Sequence, residues 1–259
     1  MSITESLGTA SSVLATFTRL GRGIYTRPAA RKPAQPLELY EFEGCPYCRL
    51  VREVLTELDL DAMIYPCPKK GQRFRPRVVE LGGKAQFPFL VDPNTSRQLY
   101  ESADIIAYLF ETYGERPLPA AWRQRGLNVV SSIVATAYRA GAGAETRPSR
   151  APEQPLELYS FESSPFARRV RETLCELELP YLLHNVGRTQ AVESVPPAVR
   201  DRLGLEVRPE SASRQAFAAR AGLMMVPYLV DPNTGAALFE STAIRRYLRT
   251  TYGTESARS

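Results

Sequence analysis

The sequence predicts an α/β protein built from two tandem copies of one unit, a small sheet with helices on both faces. Three observations predict it. First, the 259-residue chain contains itself twice: Ser11-Ser12-Val13-Leu14-Ala15-Thr16 returns as Ser131-Ser132-Ile133-Val134-Ala135-Thr136. In the same order, Pro36-Leu37-Glu38-Leu39-Tyr40 returns as Pro155-Leu156-Glu157-Leu158-Tyr159, and Leu90-Val91-Asp92-Pro93-Asn94-Thr95 as Leu229-Val230-Asp231-Pro232-Asn233-Thr234. A repeat spacing above 100 residues means two whole domains, not a solenoid. Second, short apolar strands alternate with helical stripes inside each copy, with one hairpin per copy. Third, the length itself fits one or two domains.

Taken in order, each copy opens with a helix, over 7–20 and over 127–140, ended near glycine and followed by a Pro/Arg-rich connector. Residues 1–35 are poor in acid and resemble an organelle transit peptide in composition, but the segment recurs in mid-chain, where no targeting signal works. An apolar strand over 37–42 then hands over to a helix marked by Val51, Val54, Leu55 and Leu58, an i, i+3, i+4, i+7 stripe. A second strand lies near 63–65, and a third covers 87–91. Asp92-Pro93-Asn94-Thr95 has tight-turn chemistry, so the strand over 98–100 returns antiparallel. Ser102 is a good N-cap for a closing helix that shows Ile105, Tyr108, Leu109 and Thr112 on one face and stops at Gly114. Ile244, Tyr247, Leu248 and Thr251, with Gly253, are its counterparts. The boundary falls around 117–121, giving units 1–119 and 120–259.

Composition is ordinary for a folded chain, with no stretch near the 18 apolar residues of a membrane span. The net charge of +5 comes from arginine, which far outnumbers lysine. Arginines such as Arg52 are interspersed with glutamates such as Glu53 and Glu57, and read as a solvated surface rather than a nucleic-acid or membrane face. Four cysteines are too few for a disulfide scaffold. They point to a reducing, cytoplasmic compartment and to a catalytic or metal role for the Cys45–Cys48 pair.

That pair is the chemical centre. Cys45 sits where strand meets helix, and the unpaired N–H groups and positive dipole end of the helix favour an anion there. A thiol so placed loses its proton readily, and the thiolate attacks disulfides. Cys48, one turn on, resolves the mixed disulfide that follows. Arg49 and Arg52 add positive charge nearby.

Three marks then carry a family resemblance: the Cys45-Pro46-Tyr47-Cys48 turn, the Phe87-Pro88 pair before a strand, and Glu101-Ser102 opening the last helix. Residues 36–114 and 155–253 resemble the thioredoxin-fold N-terminal domain shared by glutaredoxins and glutathione transferases. Tyr65-Pro66-Cys67-Pro68-Lys69 and the Gly82-Gly83 segment resemble glutathione-transferase-like proteins of plants and photosynthetic bacteria. The resemblance implies glutathione as co-substrate, with Tyr47 in the cleft and with Phe87-Pro88 and Val226-Pro227 as cis pairs whose backbone meets its cysteinyl part. It also implies that Glu101-Ser102 and Glu240-Ser241 hold the γ-glutamyl carboxylate at a helix N-terminus, chemistry that suits such an end. Both serines equally serve as plain caps.

In the second copy Ser163-Ser164-Pro165-Phe166-Ala167 replaces the thiol turn, so Ser164 cannot exchange disulfides. It either hydrogen-bonds a glutathione thiolate or belongs to a degenerate copy kept for packing. Ser164 and Pro227 are 63 residues apart against 43 for Cys45 and Pro88. The extra residues around 195–214 read as surface decoration, the alternatives being a cover over the cleft or a contact between halves. Cys67 is structural filler, a second resolving thiol or a cluster ligand, and Cys175 receives no role. His184 is the only histidine, which argues against His-dependent hydrolysis and multi-ligand zinc sites.

The expected function is glutathione-linked thiol–disulfide oxidoreduction on a disulfide or glutathionylated substrate. The alternatives are a glutathione transferase and a non-catalytic glutathione or iron–sulfur module. No nucleic-acid or membrane partner is expected, and the halves are candidates to pack as an internal pseudo-dimer.

Overall fold

Eight short strands form one sheet, four from each copy. The computed structural model describes residues 3–195, 197–205 and 211–254. The first repeat runs α1 (Ile3–Thr18), β1 (Leu37–Glu41), α2 (Pro46–Glu57), β2 (Ala62–Pro66), α3 (Arg75–Gly82), β3 (Phe89–Asp92), β4 (Arg97–Tyr100) and α4 (Ser102–Thr112). After α5 (Ala120–Arg123) come α6 (Arg125–Ala137), β5 (Leu156–Ser160), α7 (Pro165–Glu176), β6 (Tyr181–Asn185), a 3-10 turn at Ala191–Ser194 and α8 (Pro197–Leu203). The chain continues with α9 (Ala212–Ala221), β7 (Tyr228–Asp231), β8 (Ala236–Phe239) and α10 (Ser241–Tyr252). This is the tandem thioredoxin-like α/β arrangement. Each repeat keeps the predicted order, with one correction of position. Ser102 and Ser241 are the first helical residues, and the cap positions belong to Glu101 and Glu240, each with positive φ. Strand β4 runs into α4 with no intervening loop, so Glu101 absorbs the whole change of direction.

The strand order is β4-β3-β1-β2-β6-β5-β7-β8. Within a repeat, β1 pairs parallel with β2 and antiparallel with β3, and β5 pairs in the same way with β6 and β7. The repeats meet where β2 pairs antiparallel with β6, with Met63 opposite Leu182. Alternation along β1 sends Leu37, Leu39 and Glu41 to the face under α2, and Tyr40 to the face under α3. Val51, Val54, Leu55 and Leu58 of the predicted stripe are fully buried there with Ile105 and Leu109 of α4. Each such side chain contributes about 1.5–3 kcal/mol of burial.

The opening helices exchange sides. Helix α1 packs on α7 of the second repeat, α6 packs on α2 of the first, and the two helices touch each other. Ser12 donates to the carbonyl of Pro165 at 2.8 Å, and Ser132 donates to that of Pro46 at 2.7 Å. The glycine-rich connectors follow: Gly44 N–H donates to Gly143 O and Ser163 N–H to Gly23 O. Both Gly23 and Gly143 have positive φ, and a Cβ on either would press within 2.9 Å of Glu162 or Glu43 side chains, so only glycine passes there.

The arginines overturn the solvated-surface reading. Arg19, Arg49, Arg52, Arg168 and Arg171 are among the most completely buried side chains. Arg52 forks onto Glu162 of the other repeat (Nε–Oε2 2.9 Å), while Arg171 forks onto Glu43 (both oxygens at 3.2 Å). Arg19–Glu53 and Arg139–Glu172 flank this crossed pair. Arg49 and Glu53 do stand at i, i+4, but the charges on this helix face a junction between repeats that one copy alone does not contain.

Candidate active site

Strand β1 delivers Phe42, Glu43 and Gly44 to the turn, and Pro46 occupies the first helical position, where its missing N–H costs nothing. Cys45 is therefore the cap of α2. Its sulfur accepts from Cys48 N–H at 3.4 Å. The Cys48 thiol as hydrogen-bond partner, the Cys48 and Tyr47 backbone N–H groups and the Arg52 charge together outweigh burial and lower the Cys45 thiol to about 7. Cys48 moves the opposite way: burial, its bond to Cys45 and the negative charge of Cys45 and Glu41 push it well above the ordinary thiol range. Near neutrality the pair thus holds one thiolate at the helix mouth and one thiol behind it. The cationic help expected from Arg49 and Arg52 is small, because Arg52 also faces Glu41, Glu43 and Glu162, and Arg49 turns to Glu162.

Sequence reasoning missed Glu41. It is 1% exposed, on the α2 side of β1, ion-paired to Arg52, and burial raises its carboxyl to about 8 against the opposing pull of Arg52. The second repeat has Ser160 at this place, donating to Phe161 O and accepting from Arg171. Its signal was available: a Glu one position beyond the matched Leu-Glu-Leu-Tyr, answered by Ser in the copy without thiols.

Around Cys45 the other candidates converge in part. The Phe87–Pro88 bond is cis, Phe42 meets Phe87 edge-on at 6.1 Å, and Arg75 lies 4.7 Å over the Phe87 ring. Gln86 donates to Glu101, tying the cis pair to the next turn. Ser102, nearly buried, shares a small hollow with Leu50 of α2 and Arg125 of α6. Tyr47 is about half exposed beside the thiol.

The second repeat copies this frame. Ser164 caps α7, accepting from Ala167 N–H at 3.3 Å, Val226–Pro227 is cis, and Glu240 has φ 68° against 63° for Glu101. One matched residue beside the two closing helices differs in sign. Where Arg125 of α6 lies by Ser102, the matching residue of α1, Glu5, lies by Ser241, accepting from Thr242 and pairing with Arg169 and Arg245.

Three remaining residues sit apart from the site. Cys67 is fully buried with Tyr40, Val78 and Phe89 under α3, and burial raises its thiol. Cys175, also buried, accepts from Glu43 N–H. His184 pairs with Asp61 across the β2–β6 junction at 2.7 Å. Residues 196 and 206–210 of the long insertion lie outside the described residues. Val199, Leu203 and Leu205 in its middle are exposed, as surface decoration would be, whereas its C-terminal end reaches both repeats: Arg214 donates to Val186 O and Ser213 donates to Asp59. That part is an inter-repeat contact, not decoration. Among the described residues no group of three or more His, Cys, Asp or Glu is placed to hold a metal, and no helix is long and apolar enough to cross a membrane.

The family model for the glutathione S-transferase N-terminal domain matches twice, at residues 39–117 and 158–256. The chain belongs to that family. Both matches take in the cis proline and the Glu-Ser turn, so the glutathione S-transferase N-terminal frame is present in duplicate. Among solved structures, glutathione transferase BmGSTD1 of Bombyx mori is 26% identical over 37% of this chain and 45% of its own length, with TM-score 0.29. A delta-class glutathione transferase of Nilaparvata lugens is 30% identical over 31% and 38%, with TM-score 0.26. A trimeric glutathione transferase of Leishmania is 16% identical over 86% and 68%, with TM-score 0.29. The chain thus spans less than half the length of the two insect transferases. None of the curated proteins matches it.

Proposed function

We propose that the first repeat is a glutathione-linked thiol–disulfide oxidoreductase. The opposed shifts of Cys45 and Cys48, one down to about 7 and one well up, are the observation that carries this reading. The Cys45 thiolate attacks one sulfur of a disulfide R–S–S–R′, forming Cys45–S–S–R while R′S⁻ leaves and takes a proton. Cys48 loses its proton and attacks the Cys45 sulfur, releasing RS⁻ and leaving a Cys45–Cys48 disulfide. Two glutathione thiols then reduce that disulfide and depart as glutathione disulfide. Phe87-Pro88 would present its backbone to glutathione, and Ser102 with the α4 N-terminus would hold its γ-glutamyl carboxylate, with Arg125 adding favourable charge.

The second repeat we assign to support. With 1–119 and 120–259 as the two units, it lends α6 to the thiol-bearing helix and completes an internal pseudo-dimer. Ser164 stands where the first repeat has its reactive thiol, so glutathione-linked exchange is confined to the first cleft. The decisive experiment follows reduction of a glutathionylated peptide by the full chain. Cys45→Ser is expected to abolish it and Cys48→Ser to keep part, and equal rates for Cys45→Ser and wild type would remove the reading. A conjugation rate on a generic aryl halide that survives Cys45→Ser would move the assignment to a transferase.

A further inference from the structure

Helices α1 and α6 turn an apolar stripe outward on the side away from α7 and α2. Leu7, Leu14 and Phe17 stand on one, at i, i+7, i+10, and Leu127, Val130 and Val134 on the other, at i, i+3, i+7, spacings that share a helix face. They are not partly hidden: Leu7 is 65%, Phe17 72% and Leu127 68% exposed. With Ile133 and Tyr138 alongside, the face presents roughly 800 Å², the share one partner brings to a standard protein interface. That exceeds the few hundred Å² an ordinary monomer leaves open. Charge is missing as well. Each helix carries one charged residue, Glu5 and Arg125, both in its opening turn, in a chain that is 24% charged.

We infer that this face is where a second copy of the chain docks. The two helices are equivalent members of the duplicated sequence and touch each other, so the approximate two-fold between repeats passes between them. The stripe is therefore in part its own counterpart: Leu7 answers Leu127 and Leu14 answers Val134, while Phe17 and Val130 answer Ala137 and Ala10. A surface that maps onto itself suits an isologous pair, in which residue i meets j and j meets i. A lipid surface fits less well, since interfacial helices flank their apolar face with Lys and Arg, and α1 has neither. Two copies stacked here form a four-helix layer between two eight-stranded sheets, leaving both Cys45 turns outside the contact.

Sedimentation velocity of the full chain from about 0.1 to 100 μM should show a dimer. Phe17→Glu with Leu127→Glu should raise its dissociation constant at least about 100-fold, while the Cys45 alkylation rate stays unchanged and the melting temperature loses its dependence on protein concentration. Val130→Arg should act in the same direction, which guards against one poorly folding variant. A wild-type monomer at the highest concentration, or a dimer untouched by all three substitutions, overturns the inference. So does a monomer that co-sediments with phosphatidylcholine–phosphatidylglycerol vesicles and loses that binding in the same variants.

Discussion

The two repeats share one frame and differ in a handful of side chains. Both keep the cis proline, the left-handed glutamate, the tyrosine-anchored turn and the crossed arginine–glutamate pair. Only the first has Cys45, Cys48 and Glu41, where the second has Ser164, Ala167 and Ser160. What both copies retain is what holds the sheet and the junction together. What one copy lacks is a set of three groups that titrate against one another. Duplication thus separates structure from chemistry within a single molecule.

The harshest way to break the symmetry is at the crossed pair. Arg52→Met leaves Glu41, Glu43 and Glu162 without their shared cation, and removing one partner of a buried pair costs about 3–5 kcal/mol. Arg171→Met leaves two carboxylates, Glu43 and Glu162, each still near Arg52, so its cost should be smaller. Urea unfolding of the two variants at pH 9, above the Glu41 midpoint of about 8, checks the order, and equal losses there would mean that Glu41 bears no charge when paired.

Glu41 offers a sharper test of the same asymmetry. Its carboxyl rises from an ordinary 4.5 to about 8 on folding, so the folded chain keeps a proton that the unfolded chain has already lost. Stability from this group is full below pH 4.5 and is lost as pH rises through about 8. Glu41→Gln should remove that decline, so that variant minus wild type grows by several kcal/mol, up to about 5, across the window. Alkylation of Cys48 in a Cys45→Ser background should also begin at lower pH, because one negative neighbour has gone. A stability difference that stays flat from pH 4 to 9 would show that Glu41 is ionised throughout.

The sequence made the frame legible because its signals are local. The apolar stripe on α2, the tight turn after β3 and the thiol at the helix mouth each need only a few neighbouring residues to be read. The turn held one surprise: Asp92 is wholly buried and accepts from Tyr108 and Tyr113 as well as Asn94, so an Asp-Pro-Asn-Thr signal also anchors the last helix. What stayed illegible depends on the other repeat. Arg49 and Glu53 have the i, i+4 spacing of a surface helix pair, and nothing within one copy says that a second copy covers them. The exchange of α1 and α6 was hidden for the same reason, since a helix stripe states that a partner exists without stating which sheet supplies it.

That exchange allows the gentlest comparison. Ser132 of α6 donates to Pro46 O beneath the thiol turn, and Ser12 of α1 donates to Pro165 O beneath the serine turn, at nearly equal lengths. Each serine is buried, so Ser132→Ala should cost about 1 kcal/mol, and Ser12→Ala about 2, because Ser12 Oγ also accepts from the buried Arg168 guanidinium. Their chemical consequences should differ. Ser132 fixes the first peptide of the helix whose N–H groups hold the Cys45 sulfur, so Ser132→Ala should raise the midpoint of Cys45 alkylation above about 7. Ser12→Ala loosens a turn that bears no thiol and should leave that midpoint in place. If Ser12→Ala moved it equally, the shift would be a general loss of packing, and α6 would have no particular hold on the reactive helix.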